Sequence, residues 1–179
     1  MINWDNVAFK GDKRYLSNMY PCEIIFDEKY AKHYPEFEFD NQIYSSSEHL
    51  YQALKSKNKN WHKIIRDINE PKKTKKLAKR RVSKYYKEVN SNNIFKLRDD
   101  WDIVKIKAMQ LAVMLKFTQN RELLEKLLKE NDYIEEKNDW NDTFWGTYNG
   151  IGQNNLGKIL MEYRKSHIDS WKIFYPNTK

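Results

Sequence analysis

The sequence predicts an α+β fold, in which a single mostly helical domain spanning residues 1–179 carries a small N-terminal β-sheet. Residues that favour strands cluster before Ser45, whereas apolar residues at helical spacing dominate after it. We find no internal repeat, low-complexity linker or composition change that would mark a domain boundary. Strands and helices that are segregated along a chain favour an α+β fold over a doubly wound parallel sheet.

Three segments near the N-terminus predict the strands of this sheet, namely residues 7–10, 22–26 and 37–44. Asp40 and Asn41 have the turn-forming side chains of a hairpin tip, and Tyr34-Pro35 interrupts the chain before it. The connection formed by residues 28–36 is longer than a minimal hairpin needs.

Helical segments follow. The residues from Ser45 to Glu48 match a capping box, which predicts a helix that starts there and runs to about residue 57. Further helices are predicted at residues 61–68, 71–89, 100–117, 121–129 and 155–167. The helix at 100–117 has the apolar spacing of a core helix, with Trp101 in register.

Composition restricts where the protein works. One cysteine, Cys22, excludes an internal disulfide and indicates a reducing compartment. The N-terminus lacks the basic and apolar regions of a secretory signal, and no apolar run approaches the ~18 residues of a transmembrane helix. We therefore expect a cytoplasmic protein with no membrane partner.

The net charge of +8 is concentrated in one segment. Nine lysines and arginines, and no acidic residue, lie between Lys72 and Lys87. Pro71 suits the first turn of a helix, so the segment predicts a basic helix with Leu77, Ala78, Val82 and Tyr85 on its buried side. Such a helix is either an ordinary solvated face or an electrostatic binding surface for phosphate or nucleic acid.

Glycine is also concentrated in one place, because four of the five glycines lie between Gly146 and Gly157. A glycine-rich loop that opens a helix directs backbone N–H groups into one concavity, which is a general way to hold phosphate. The spacing fits neither the Walker A loop nor the dinucleotide fingerprint. A loop and helix cap without any ligand is therefore the competing interpretation.

The predicted helix after Ser45 carries a polar face formed by Glu48, Tyr51, Gln52 and Lys55. The alternative is a capped surface helix whose polar neighbours stabilise each other. No HExxH motif, cysteine pair or G-x-S-x-G motif is present, so neither a metal nor a cofactor is expected. A carboxylate, a lysine, several aromatic residues and a phosphate-holding loop suit cleavage of a glycosidic bond to a ribose phosphate.

Five motifs, found in the expected order, resemble the YbiA-like superfamily, also called NADAR (NAD and ADP-ribose). They are Phe9, Gly11 and Leu16-Ser17-Asn18-Met19-Tyr20-Pro21; Tyr44, Ser46-Ser47-Glu48-His49, Tyr51-Gln52-Ala53 and Lys55; Pro71, Leu77 and Trp101; Met109, Lys116-Phe117 and Gln119-Asn120; and Asn141-Asp142, Phe144-Trp145-Gly146, Asn154, Leu156-Gly157, Leu160-Met161 and Arg164.

This resemblance implies the YbiA-like fold and N-glycosidase activity on the C–N bond between a ribose phosphate and a base or amine. Family substrates include pyrimidine intermediates of riboflavin synthesis and ADP-ribose attached to guanine. The implied catalytic residues are Glu48, Lys55 and Asp142. The implied substrate-binding residues are Ser17, Asn18, Tyr51, Gln52, Trp101, Trp145, Gly146, Asn154, Gly157 and Arg164.

The chain departs from the family pattern at two places, and the second of them bears on the shape of the glycine-rich loop and on substrate choice. Ala78 stands where the family often has glycine, and Thr147-Tyr148 replaces a frequent Asp-Gly. The expected partner is a phosphorylated ribosyl or ADP-ribosyl substrate, which an ADP-ribosylated nucleic acid could supply. The alternatives are a non-catalytic module that binds NAD or ADP-ribose, and a basic nucleic-acid-binding protein without chemistry.

Overall fold

The computed structural model describes residues 9–84, 95–131 and 133–174, without the side chains of 169–174. The chain forms two compact units. The central unit is Pro21–Gln119, and the terminal unit combines Met1–Tyr20 with Asn120–Lys179. No helix among the described residues is long and apolar enough to cross a membrane.

The central unit contains two small sheets and most of the helices. Strands β1 (Ile24–Ile25) and β2 (Ile43–Tyr44) pair antiparallel, with Ile24 opposite Tyr44. Strands β3 (Val82–Ser83) and β4 (Phe95–Lys96) pair parallel. The helices are α1 (Glu28–Ala31), α2 (Ser47–Ala53), α3 (Lys59–Arg66), α4 (Pro71–Arg81) and α5 (Trp101–Gln119). The α+β prediction with a mostly helical chain is confirmed.

Helix α2 is the centre of this unit because it packs against α3, α4 and α5. All seven of its residues are buried. Its apolar side contributes Leu50 and Ala53 to a core that includes Trp61, Ile65 and Leu111. The indole N–H of Trp61 donates to the carbonyl of Gln52 at 2.9 Å, which ties α3 to the end of α2.

The terminal unit contains a 3-10 helix (Gly11–Leu16), α6 (Arg121–Lys129) and α7 (Asn155–Phe174). Helix α6 packs on α7, and the buried side chains include Leu123, Leu127 and Leu160. The segment that precedes α7 makes isolated bridges between Lys137 and Thr147 and between Tyr148 and Ile151.

The predicted strands are longer than those observed. Segment 22–26 shortens to β1 and segment 37–44 to β2, while residues 9–10 form no strand and residues 7–8 lie outside the described part. Asp40 and Asn41 are not a hairpin tip. The carboxylate of Asp40 pairs with Arg66 and accepts from the Tyr44 hydroxyl at 2.8 Å, and Asn41 donates to the Phe26 carbonyl. These contacts hold the segment as a loop.

Two helix boundaries also differ from the prediction. The N-cap of α2 is Ser46, whose hydroxyl accepts the His49 N–H, so Glu48 does not close a capping box with Ser45. The helix ends at Ala53 rather than near 57, and the Lys55 carbonyl instead accepts the Arg98 N–H. Helix α4 ends at Arg81 because Val82 is extended and pairs with β4; residues 85–94, including Tyr85, lie outside the described part.

Candidate active site

The candidate active site is the polar face of α2 in the central unit. Glu48 and Gln52 are 3% and 2% exposed, because α3, α4 and α5 enclose the helix that carries them. Glutamate is seldom buried to this extent unless it is paired or hydrogen-bonded. The burial of Glu48 and Gln52 therefore excludes the ordinary surface helix that was the alternative for this segment.

Gln52 holds the carboxylate of Glu48 in place. Its side-chain N–H donates to Glu48 Oε1 at 2.7 Å, one helical turn away. The other amide atom of this side chain, Gln52 Oε1, is buried without a hydrogen-bond partner among the described residues. A buried polar atom without a partner is costly and is common at functional sites. Gln52 thus orients the Glu48 carboxylate, and its own Oε1 remains available to accept a hydrogen bond from a ligand.

Lys55 lies on the same face beside two aromatic rings. Its ammonium nitrogen is 5.5 Å from the Tyr51 ring centroid and 5.8 Å from the Trp101 ring centroid. The two rings are themselves 5.3 Å apart, with a tilt of 51°. Distances below about 6 Å allow a cation–π attraction to each ring. The lysine and the two rings therefore form one cluster between α2 and the start of α5.

Burial lowers the pKa of Lys55 from 10.5 to about 8. The negative charge of Glu48 acts in the opposite direction, and the positive charge of Lys75 on α4 lowers the pKa further. Below pH 8 the ammonium form predominates, and above it the neutral amine. An appreciable fraction of Lys55 is therefore a neutral nucleophile near physiological pH.

Arg98 and Lys75 belong to this site although the sequence did not single them out as site residues. Arg98 is 4% exposed, and its guanidinium binds Asp100 and donates to the Glu36 carbonyl. Its backbone N–H donates to the Lys55 carbonyl at 2.9 Å, while Trp101 donates to the Arg98 carbonyl. Arg98 thus fixes the backbones of Lys55 and Trp101 together.

A sequence signal for Lys75 was present. The buried residues of α4 are Thr74 and Ala78, which lie one turn apart. Small residues at this spacing mark a face that packs closely against another helix, and Lys75 is adjacent to that face. The predicted buried side of α4 was right for Ala78, whereas Leu77 and Val82 are only half-buried.

In the terminal unit, Asp142 shapes the turn that carries Trp145. Its Oδ1 accepts the N–H groups of Phe144 and Trp145 at 3.2 and 2.9 Å. Trp145 is half-buried and makes an edge contact with Phe144, with ring centroids 4.9 Å apart. The backbone contacts give Asp142 a structural task, and its catalytic role stays a prediction.

The glycine-rich loop, residues 144–157, packs closely against residues 134–138. A Cβ on Gly146 would overlap the Glu136 carbonyl oxygen, and one on Gly157 would overlap the Ile134 carbonyl oxygen. Asn154 adopts a positive φ of 50° and donates to Ile134 while accepting from the Glu136 N–H. These contacts account for Gly146, Asn154 and Gly157 without a ligand, and their binding of substrate stays a prediction.

Three other predicted residues lie in the terminal unit. Ser17 Oγ accepts the Met19 N–H at 3.2 Å, Asn18 is buried, and the Arg164 guanidinium donates to the Glu130 carbonyl at 2.6 Å. The structure therefore brings together Glu48, Tyr51, Gln52, Lys55 and Trp101 in the central unit. Within the described residues, no group of three or more His, Cys, Asp or Glu side chains is arranged to hold a metal ion.

Comparison with known proteins decides the family. The model of the NADAR domain family matches residues 8–167, which is nearly the whole chain. The chain belongs to the NADAR domain family. The prediction drawn from the five ordered motifs is thereby confirmed.

Curated relatives within this family are named N-glycosidases. An N-glycosidase of Nostoc punctiforme is 44% identical over 70 residues, which cover 38% of this chain and 45% of that protein. The N-glycosidase YbiA of Shigella boydii is 31% identical over 127 residues, which cover 70% of this chain and 72% of the relative. The prediction of an enzyme from a family of N-glycosidases is therefore confirmed.

The fold is also shared with a solved structure. The NMR structure of YbiA from E. coli superposes with a TM-score of 0.67 at 25% identity, covering 92% of this chain and 83% of YbiA. The predicted YbiA-like fold is therefore confirmed.

Proposed function

We propose that this protein hydrolyses the C–N bond between a base or amine and the ribose of a phosphorylated or ADP-ribosyl group. The observation that supports this most is the buried carboxylate of Glu48 on α2, whose charge acts on Lys55, a half-buried lysine of lowered pKa just beyond the end of that helix. The N-glycosidase relatives make the same bond type the natural choice for NADAR-family chemistry.

Glu48 acts on the positive charge that develops at the anomeric carbon when a C–N glycosidic bond breaks. A fixed carboxylate in a site that excludes water stabilises such charge far more than one in bulk solvent. In the direct route, Glu48 also accepts a proton from the water that attacks C1, and the leaving nitrogen takes up a proton. Lys55 then remains a cation that holds phosphate.

In the covalent route, the C1–O4 bond of the ribose opens, O4 takes up a proton, and C1 forms an iminium with the departing nitrogen. The neutral amine of Lys55 adds to C1, a proton moves to the departing nitrogen, and the C1–N bond to the base breaks. Lys55 is left as an imine of the opened sugar. Water then hydrolyses this imine, which restores the amine and releases the ribose aldehyde.

The rings of Tyr51 and Trp101 serve binding in either route. They flank the Lys55 ammonium at 5.5 and 5.8 Å, so they sit where a planar base or a ribose would approach it. Aromatic rings contribute stacking area to bases irrespective of their sequence. We assign base or ribose contact to these two residues.

The substrate class that we favour is ADP-ribose attached to guanine within a nucleic acid. Helix α4 packs directly on α2, and Lys72, Lys76 and Lys79 of α4 are exposed and form no ion pair among the described residues. A row of cations beside the site favours a polyanion more than a single monophosphate. A free ribosylamino-pyrimidine phosphate of riboflavin synthesis is the second candidate, since one phosphate suffices for Lys55 or its neighbours.

The decisive experiment offers the protein both substrates separately. An oligonucleotide with ADP-ribosylated guanine and a ribosylamino-pyrimidine phosphate are incubated with the protein, and released base and sugar are quantified by mass spectrometry. Release that disappears in Glu48→Gln supports the proposal. Binding of either substrate without release of a base, in the wild type, would identify a non-catalytic binding module and refute it.

A charge variant separates the two substrate classes. Lys72→Gln/Lys76→Gln/Lys79→Gln should raise KM for the oligonucleotide and flatten its salt dependence, while turnover of the free phosphate is unchanged. The matched control is Lys59→Gln/Lys158→Gln/Lys165→Gln, which removes the same charge from exposed positions outside α4. Equal effects of both variants would refute the nucleic-acid preference.

Borohydride added during turnover separates the two routes, because it reduces an imine to a stable amine adduct. A mass increase on the peptide that contains Lys55, absent in Lys55→Ala, supports the covalent route. If no adduct forms and Lys55→Arg keeps most of the activity, the direct route with Glu48 and water holds instead.

A further inference from the structure

A cavity of about 550 Å³ lies in the terminal unit, and none of the residues that line it belongs to the α2 face. It is lined by the 3-10 helix Gly11–Leu16 and by the C-terminal part of α6, through Arg14, Tyr15, Lys126 and Lys129. Ser17 and Asn18 follow the 3-10 helix but are not among the lining residues. The volume is within the usual range for small-molecule sites.

One of the two acids that line this cavity, Glu130, is paired with other residues of the protein. Its Oε2 pairs with the Lys13 ammonium at 2.8 Å, and its Oε1 accepts the Tyr15 hydroxyl at 3.0 Å. Burial and the nearby Glu130 both raise the pKa of Tyr15, so its phenol remains a donor. Glu130 is therefore occupied with internal partners and does not repel an anion in the cavity.

The remaining charges at the cavity are mostly positive. Arg14, Lys126 and Lys129 are exposed along its wall, and none of them forms an ion pair within the residues that the structure describes. The Lys126 ammonium lies 6.0 Å from the centroid of the Tyr15 ring. Asp12 is the one further acid that lines the cavity. Three cations that converge without carboxylate partners favour an anionic ligand.

Two aromatic rings and a glycine complete the wall. Tyr15, which is 4% exposed, and Tyr20 both line the cavity. Gly11 has a positive φ of 51°, and a Cβ placed on it would meet no atom within 4 Å. The cavity thus offers open space next to cations and aromatic surface, a combination that suits a phosphate joined to a base.

We propose that this cavity is a second binding site, which takes a nucleoside phosphate through Arg14, Lys126 and Lys129. The cations bind the phosphate, and the tyrosines contact the base or sugar. The site does not depend on the proposed glycosidase activity, since it contains none of the α2 residues and its occupation can be measured without turnover. The phosphate can come from a free nucleotide or from a nucleotide within a nucleic acid.

The proposal is tested by NMR on the whole chain, whose mass of 21.8 kDa permits amide spectra. AMP, pyrophosphate and adenosine are titrated separately while the amide signals of Gly11 and Lys126 are followed. We expect AMP to shift both signals, pyrophosphate to do so more weakly, and adenosine to have no effect. A dinucleoside monophosphate is titrated in the same way. If it shifts the same signals and binds with the same affinity as AMP, nucleic acid is an equally good source of the phosphate.

A charge-matched pair of variants assigns the effect to the cavity. Lys126→Gln/Lys129→Gln should weaken AMP binding at least about tenfold, because two charge-assisted contacts to phosphate are lost. Lys158→Gln/Lys165→Gln, which removes the same charge from exposed positions on α7, should bind AMP as the wild type does. An amide spectrum of Lys126→Gln/Lys129→Gln that keeps the signal dispersion of the wild type shows that this variant remains folded.

Three results would overturn the proposal. The first is the absence of shifts at Gly11 and Lys126 at millimolar AMP. The second is AMP binding that is equal in the two double variants. The third is an AMP response confined to residues of α2, which would place the ligand at the glycosidase site instead.

Discussion

Helix α2 and the glycine-rich loop contain similar kinds of polar residues but use them differently. In α2, three neighbouring helices bury Glu48 and Gln52, and Gln52 Oε1 has no hydrogen-bond partner among the described residues. In the loop, Asn154 and the backbone around Gly146 are occupied by residues 134–138. The helix has polar atoms available for a ligand, whereas those of the loop largely hold the loop itself.

The difference shows how burial separates a reactive group from a structural one. A partly buried ionisable side chain whose pKa is displaced is a candidate for catalysis, as Lys55 is. A buried amide with its hydrogen bonds made, as in Asn154, contributes to stability and specificity of the fold. Both kinds look alike in a sequence motif.

The contrast between a reactive α2 face and a structural loop is tested most strongly by the substitution Glu48→Gln. The amide keeps the shape of the side chain but removes the charge that stabilises the transition state, so we expect kcat to fall about 100-fold or more. The control is Glu28→Gln, because Glu28 is also a first-turn glutamate but is exposed on α1. Turnover of Glu48→Gln within threefold of that of Glu28→Gln would remove Glu48 from the mechanism.

The packing role of the loop is tested by glycine substitutions. Gly146→Ala forces the new Cβ against the Glu136 carbonyl, so we expect the free energy of unfolding to fall by about 2–4 kcal/mol. Gly150→Ala places a Cβ in open space at a φ of +78° and should cost only about 1 kcal/mol. Urea unfolding measures both, and equal losses would contradict the packing account.

Asp142→Asn tests, through kcat, whether Asp142 has a structural or a catalytic role. The asparagine Oδ1 still accepts the N–H groups of Phe144 and Trp145, but the negative charge is gone. If the turn contacts are the main task of Asp142, kcat should fall no more than about threefold. A loss comparable to that of Glu48→Gln would show that the carboxylate itself takes part in the chemistry.

Of these variants, Lys75→Gln should have the smallest effect on activity, namely a shift of the pH–rate profile. Lys75 lowers the pKa of Lys55, so its removal should raise that pKa and move the point at which the neutral amine appears to higher pH. In the covalent route, the rising limb of the pH–rate profile should then shift to higher pH. Lys79→Gln, one turn along α4, is the control, and an identical profile for both variants would contradict the coupling of Lys75 to Lys55.

The sequence predicted the helices with strong apolar periodicity best. The start and end of α6 agree, and α5 runs two residues past its predicted end. Less periodic boundaries failed because tertiary contacts decide them. Val82, which was predicted to continue α4, pairs with Phe95 in a strand. Asp40, which was predicted at a hairpin tip, forms an ion pair with Arg66. Neither partner is close in sequence, so local propensity carries no information about it.

Only the part of the site that depends on spacing along the chain was predictable from the sequence. Glu48, Tyr51, Gln52 and Lys55 are related by helical spacing, which the sequence displays directly. Trp101 and Lys55 both belong to the ordered family motifs, so the resemblance also predicts Trp101 as a site residue. The small residues Thr74 and Ala78 indicate a packed face next to Lys75, but the distances and burial through which Lys75 and Arg98 act are not recorded in a single sequence.

The most direct test of the central claim is an NMR titration of Lys55 in protein with ¹³C-labelled lysine, assigned by comparison with Lys55→Arg. The claim is that the buried carboxylate of Glu48 and the half-buried ammonium of Lys55 are electrostatically coupled. It predicts a Lys55 pKa of about 8 in the wild type, and a lower value in Glu48→Gln because the carboxylate charge raises it. A pKa near the ordinary 10.5, unchanged by Glu48→Gln, would contradict the claim.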